Sequence, residues 1–165
     1  MSLCLKRKSI RKFKNTPVPN TLIDTLLTSA MQAPSARNQQ PWEFIVIKNK
    51  EILTKLSKVS TGARHLEHAP LGILTVMRNE TPASHMRPQD MAAATQNILL
   101  EATNQGLGSL WIGVYPLEER LDKIKTIISV PDHLTPFSMI AIGYPDQETE
   151  VTNLRFDKSR VMVIE

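Results

Sequence analysis

The sequence predicts a single domain that mixes helices and strands, and three observations carry that prediction. Segments with apolar residues at helical spacing alternate with short apolar runs rich in Ile, Val and Leu. The alternation proceeds without a glycine-rich phosphate loop of either the dinucleotide or the P-loop type. At 165 residues, with neither an internal repeat nor a low-complexity tract, the chain is long enough for one sizeable core and suits one domain over residues 1–165. Aromatic residues make up only 5%, so Leu, Ile, Val and the seven methionines have to fill that core.

Residues 1–8 read as a short helix capped by Ser2. Ser9 to Phe13 then runs extended until Thr16-Pro17-Val18-Pro19 breaks the chain. From Asn20, the residues Leu22, Ile23, Leu26, Leu27, Ala30 and Met31 recur at helical spacing. That helix has to stop near Ala33, because Pro34 disfavours a helical residue before it. A polar loop over residues 34–42 leads into Phe44-Ile45-Val46-Ile47, a buried strand. A loop rich in Ser, Asn and Gln between a core helix and a core strand is where binding groups tend to sit. Residues 50–58 read as a surface helix, 61–69 as a turn or helix, and 71–77 as a strand. Residues 79–89, with two prolines, read as a mobile loop.

A long helix is predicted from about Gln89 to Gln105, with Ala92, Ala93 and Ala94 suited to tight packing at a subunit interface. Gly106-Leu107-Gly108 closes it, since glycine readily takes the left-handed conformation of a helix stop. Ser109 to Val114 reads as a strand with Gly113 inside it, a sign of close approach by a ligand or another backbone. Residues 117–128 are an amphipathic helix, 131–136 a loop, and 137–143 an apolar strand ended by Tyr144-Pro145. Residues 160–165 read as a terminal strand. Such a strand needs a sheet edge to pair with, and a second subunit could supply it.

The net charge of +4 is concentrated in Lys6-Arg7-Lys8-Ser9-Ile10-Arg11-Lys12-Phe13-Lys14, and the rest of the chain is slightly acidic. Taken alone, that run fits a solvated basic face or a nucleic-acid patch. Its patterning also fits a third reading. A segment that buries Ile10 and Phe13 holds its cations still, and a fixed Arg-Lys-Ser-x-Arg cluster can donate to the oxygens of one phosphate. Cys4 is the only cysteine, which excludes an intrachain disulfide and a Cys-rich zinc module, and points to a reducing cytoplasm. No apolar run approaches the roughly 20 residues of a membrane span, and residues 1–30 lack the core of a signal peptide, so no membrane association is expected. His65 and His68 have the spacing of a metal pair without a third ligand, and no metal is expected.

Four signatures, in order along nearly the whole chain, resemble the FMN-dependent nitroreductase family. They are Arg7-Lys8-Ser9-Ile10-Arg11, Pro34-Ser35-x-x-Asn38-x-Gln40-Pro41-Trp42, Gly106-Leu107-Gly108-x-x-Trp111-Ile112-Gly113, and Gly143-Tyr144-Pro145 followed by Arg155-Phe156. The length matches compact members. The resemblance implies an α+β sandwich with a mostly antiparallel central sheet flanked by helices. It also implies an intertwined homodimer with FMN at the subunit interface, the segment at about 158–165 pairing with the partner. Arg7, Lys8, Ser9 and Arg11 would hold the FMN phosphate and ribityl chain, joined by Arg155. Pro34, Ser35, Asn38 and Gln40 would approach the flavin across the interface. Ile112 and Gly113 would lie along the isoalloxazine, a backbone N–H directed towards N5. Lysine is common in the family at the place held here by Asn153, which puts one phosphate contact in doubt. Arg64-His65 falls where some members place a polar residue near the flavin, and no role is carried over to it.

The implied activity is reduction of nitroaromatics, quinones or similar small acceptors by NADH or NADPH, in a ping-pong cycle through flavin N5. With the chemistry on the cofactor, the protein needs no nucleophile, and no Ser-His-Asp set is evident. Cations near N1 and O2 would stabilise reduced flavin, and Arg11 is the candidate. The alternatives are a related flavin reaction on the same scaffold, such as reductive dehalogenation or dehydrogenation of a ring, or a non-catalytic flavin-binding or nucleic-acid-binding protein. Confinement of the basic residues to one stretch, with few interleaved aromatics, speaks against nucleic acid.

Overall fold

A computed structural model describes residues 2–150 and 155–165. Its centre is one antiparallel four-stranded sheet in the order β1-β2-β4-β3, built from β1 (Trp42–Ile47), β2 (Leu71–Arg78), β3 (Gly108–Gly113) and β4 (Leu134–Gly143). Strict alternation sends each strand's apolar residues to two sides. Leu71, Ile73, Ile140 and Ile142 face one layer, where α2 (Asn20–Met31) contributes Ile23 and Leu26, and α4 (Arg87–Asn104) contributes Met91, Ala94 and Ile98. Leu74, Val76, Met139 and Ala141 face the other, covered by α3 (Lys50–Leu56), a 3-10 segment at Thr61–His68, and α5 (Glu118–Ile127). The fold is therefore the expected α+β sandwich. β2 and β4 are buried along nearly their whole length because both of their faces are covered.

Local chemistry explains most boundaries. Asn49 caps α3, its side-chain oxygen accepting from the N–H groups of Glu51 and Ile52. At the end of α4, Gly106 takes φ 70°, which lets the Leu107 N–H reach the Ala102 carbonyl at 2.7 Å and the Gly106 N–H reach that of Thr103 at 3.3 Å. Those two bonds satisfy carbonyls that would otherwise be orphaned. α1 is shorter than expected, Leu3–Lys6, and Ser2 makes no side-chain cap bond.

Two expectations need correction. β4 starts at Leu134, not Phe137, because Pro136 sits where the register with β2 slips by one residue at Thr75/Val76, a bulge that accommodates a proline. The stretch 79–89 is not all loop: Ser84–Met86 is a 3-10 turn and α4 already begins at Arg87. Arg87 Nη1 donates to the carbonyls of Arg78 and Asn79 at 2.7 and 2.6 Å, and Asn79 Nδ2 donates to that of Asp132 at 2.9 Å. Residues 160–165, expected to pair with a partner's sheet, make no strand within the single chain. Met162, Val163 and Ile164 are 86%, 74% and 89% exposed, since neither open edge of this chain's own sheet pairs with them. No helix among the described residues is long and apolar enough to cross a membrane.

Candidate functional site

The extended segment after α1 is stitched to the open edge of β3. Ser9 bridges Ser109 in parallel, and the Ile10 N–H donates to the Ser109 carbonyl at 2.9 Å. Ile10 is buried against Gly108, where an added Cβ would lie within 2.6 Å of it, so only glycine admits this approach. Phe13 is buried as well. The backbone N–H groups of Arg11 and Lys12 both donate to Gln147 Oε1, at 2.7 and 3.0 Å. The basic run is thus anchored through Ile10, Phe13 and its own backbone, while Arg11, Lys12 and Lys14 stay exposed.

Arg11, Ile112 and Gly113 converge on a cavity of about 380 Å³ that Ser60, Arg64, His65, Trp111 and Arg120 also line. The pairing of the Val114 N–H with the Phe137 carbonyl sets the alternation of the β3 ladder, and it turns the N–H and C=O of Gly113 outwards to the open edge. The Gly113 carbonyl accepts from Arg120 Nη1 at 2.6 Å, and a Cβ at Gly113 would meet nothing within 4 Å. None of Arg11, Arg64 and Arg120 is in an ion pair with a carboxylate of the described residues. Ser60 Oγ is buried without a hydrogen-bond partner among them. Arg64 Nε donates to His65 Nε2 at 3.4 Å. Partial burial, then the guanidinium charges of Arg64 and Arg11, hold the His65 imidazole below its usual value, a hydrogen bond to the Arg11 backbone opposing them and His68 adding to them.

This donor set suits a ligand that is electron-rich and carries acceptors along its rim: three guanidiniums without carboxylate partners and an outward backbone N–H line one space. A flavin mononucleotide has those properties, so the residues present fit it. Among the described residues no group of three or more potential ligands could hold a metal ion.

The other expected site residues lie elsewhere on the chain. Arg7 and Ser9 are half-buried, Ser9 beside β3, and Lys8, on the other side of the extended segment from Ser9 and Arg11, donates from Nζ to the Glu150 carbonyl at 3.0 Å. Arg155 is exposed, and Asn153 lies outside the described residues. Pro34, Ser35, Asn38 and Gln40 form one tight loop. Gln40 N–H donates to Ser35 Oγ at 3.0 Å and Gln40 Nε2 to Asn38 Oδ1 at 2.9 Å. Arg37, Asn38 and Gln40 all take positive φ, at 53°, 53° and 45°, strain of about 1–3 kcal/mol each that the surroundings have to over-determine. Two residues that the sequence reading passed over do so. Asp90, 5% exposed, accepts from the Ala36 N–H at 2.9 Å and from Gln39 Nε2 at 2.6 Å, while Gln39 exchanges bonds with the Ala83 backbone at 2.8 and 3.1 Å. This loop leads into β1, and the cavity borders β3, at opposite edges of the sheet. Three strand spacings, about 14 Å, separate them.

Of the cavity residues that sequence reasoning missed, Arg64 and His65 carried a faint positional signal. Arg120 carried none, being one charge among Glu118, Glu119, Asp122 and Lys123 on an amphipathic helix.

Comparison with known proteins gives a consistent result. The family model described as "Nitroreductase family" matches residues 4–63 and 63–144. A protein of Methanothermobacter thermautotrophicus, provisionally named NADH dehydrogenase/NAD(P)H nitroreductase, is 41% identical over 158 residues, covering 94% of this chain and 81% of its own. A provisionally named NADH oxidase of Clostridium acetobutylicum superposes with a TM-score of 0.95 at 43% identity, over 99% of both chains. An FMN-dependent nitroreductase of Clostridium difficile superposes at 0.91 with 32% identity, over 99% of this chain and 98% of its own.

Proposed function

This chain belongs to the nitroreductase family, and from that premise we propose that it is a cytoplasmic, FMN-dependent oxidoreductase acting as a homodimer. Bound FMN would supply the redox chemistry for ping-pong reduction of a nitroaromatic, quinone or similar acceptor at the expense of NADH or NADPH. The observation that carries this reading is the cavity itself, where three guanidiniums without carboxylate partners and the outward edge of Gly113 face one space.

The protein's part is to bind, orient and bias. Arg7, Ser9 and Arg11, joined by Arg155, hold the phosphate and ribityl chain, while Lys8, expected among them, is left out because it lies on the other side of the segment and donates to the Glu150 carbonyl; Arg11 lends a fixed cation to the reduced state. Ile112 and Gly113 offer a flat strand edge. Pro34, Ser35, Asn38 and Gln40 come from the second copy. Support for that last point is the separation of the loop from the cavity within one chain, together with the apolar tail at residues 160–165, which leaves Met162, Val163 and Ile164 in solvent in a single copy.

Purification tests the reading directly. A yellow protein whose flavin bleaches on anaerobic addition of NADH or NADPH, and recovers with a nitroaromatic or quinone, is expected; a colourless protein that takes up no FMN overturns it. Arg7→Ala and Arg155→Ala should each weaken FMN binding by about 1.5–3 kcal/mol, the range for a hydrogen bond to a charged group. An FMN titration in which Arg155→Ala matches wild type removes Arg155 from the phosphate site.

A further inference from the structure

Arg120 sits in the first turn of α5, where the helix dipole disfavours a cation and where the neighbouring Glu118 and Glu119 are the favoured residue types. Helix stability therefore gives no reason for an arginine there. Its side chain is half-buried, makes no ion pair among the described residues, and spends Nη1 on the Gly113 carbonyl at 2.6 Å. The peptide unit between Gly113 and Val114 is held towards β4 by the Val114 N–H, which donates to the Phe137 carbonyl, and from the outer side by Arg120 on the Gly113 carbonyl. That leaves the Gly113 N–H, at the same open edge, facing the cavity.

We infer that Arg120 is a positioning residue, which locks the Gly113 backbone so that its N–H stays aimed into the cavity and sets a cation on the same wall, favouring an electron-rich ligand there. The inference rests on the proposal that this cavity holds flavin, and it makes a statement that proposal does not: Arg120 discriminates between the redox states of the cofactor. Reduced FMN carries more negative charge than oxidised FMN, so a nearby cation and a held N–H donor stabilise the reduced state more. By linkage, the ratio of the two affinities sets the potential of the bound cofactor.

The experiment measures Kd for oxidised and for reduced FMN, anaerobically, in wild type, Arg120→Met and Arg120→Lys, with far-UV circular dichroism to confirm folding. Arg120→Met is expected to weaken oxidised FMN severalfold and reduced FMN about tenfold more than that, lowering the cofactor's midpoint potential. Arg120→Lys, which keeps the charge and a donor but loses the planar fork, is expected to recover most of the difference between redox states. Equal weakening of both states in Arg120→Met means a merely structural role and overturns the inference, as does no change in either. Should Arg120→Met fail to fold, Arg120→Gln takes its place, keeping an N–H donor without the charge; an unaltered ratio of the two affinities there overturns the electrostatic half. Wild type that binds neither state of FMN overturns the flavin proposal instead, so the two failures are told apart.

Discussion

Ile10→Ala asks whether the basic run is a fixed part of the site or a solvated face. Ile10 is 3% exposed and fills the space in front of Gly108, where an added Cβ would come within 2.6 Å of it. The substitution removes about three buried carbons, worth roughly 0.8 kcal/mol each in transfer free energy, and leaves a cavity that the strand edge cannot close. The expected loss is therefore about 3 kcal/mol, a sizeable share of the roughly 5–15 kcal/mol that holds a domain together. At about 2–4 °C per kcal/mol for a chain of this size, the melting temperature should fall by about 6–12 °C. Urea titration at one fixed protein concentration, followed by tryptophan fluorescence, measures the first quantity, since Trp42 is buried and Trp111 partly so. The exposed neighbour Lys12→Ala serves as the control and should stay within about 0.5 kcal/mol of wild type. Because Ile10 also fixes the backbone before Arg11, FMN affinity should fall in Ile10→Ala and hold in Lys12→Ala. An Ile10→Ala protein as stable as the control would refute the reasoning, and the basic run would revert to a solvated face.

Ser138→Ala should cost about 1–3 kcal/mol, because Ser138 Oγ lies 2.9 Å from Thr75 Oγ1 and 3.3 Å from Thr95 Oγ1 in the buried layer, and its loss orphans Thr95; an unchanged urea midpoint would dismiss that hydroxyl cluster as a contributor. His65 makes stability pH-dependent. Its folded-state pKa lies below the ordinary value, so the unfolded chain takes up a proton that the folded one resists. Its contribution is fully present above the unfolded pKa of about 6.5 and is lost as pH falls from there towards the folded value. Wild type should lose more stability than His65→Asn between pH 7.5 and 5.5, and equal losses would exclude His65 as the source. Deleting residues 160–165 should lower the sedimentation coefficient or the stability, and an unaffected sedimentation profile would count against exchange of the terminal segment between subunits.

Much of the fold was legible in the chain because its local signals agree with one another. The apolar spacing from Asn20 to Met31 gave α2, Gly106 gave the end of α4, and the runs at Phe44 and Leu71 gave the two strands that pair. The alternation of Ile10 and Phe13 with cations indicated an anchored basic segment, and both residues are buried. Pro136 reads as a loop residue along the chain because a proline within a sheet fits only an edge, a strand's first residue or a bulge, and this bulge is a property of two strands together. The terminal segment finds no sheet edge within one chain, and the expectation for it concerns a second copy.

The sequence by itself determined the element order, the placing of the core residues and the chemistry of the anchored Arg-Lys-Ser-x-Arg segment, since each of these depends on residues close together in the chain. Tertiary structure decided which of the predicted binding residues share a space. Arg11, Ile112 and Gly113 meet at the β3 edge, and residues 34–40 lie across the sheet from them. It also brought in Arg64, His65 and Arg120, whose charges look ordinary along the chain. A guanidinium becomes distinctive only where no carboxylate answers it and a backbone carbonyl holds it still, and those are relations between distant segments that no local pattern encodes.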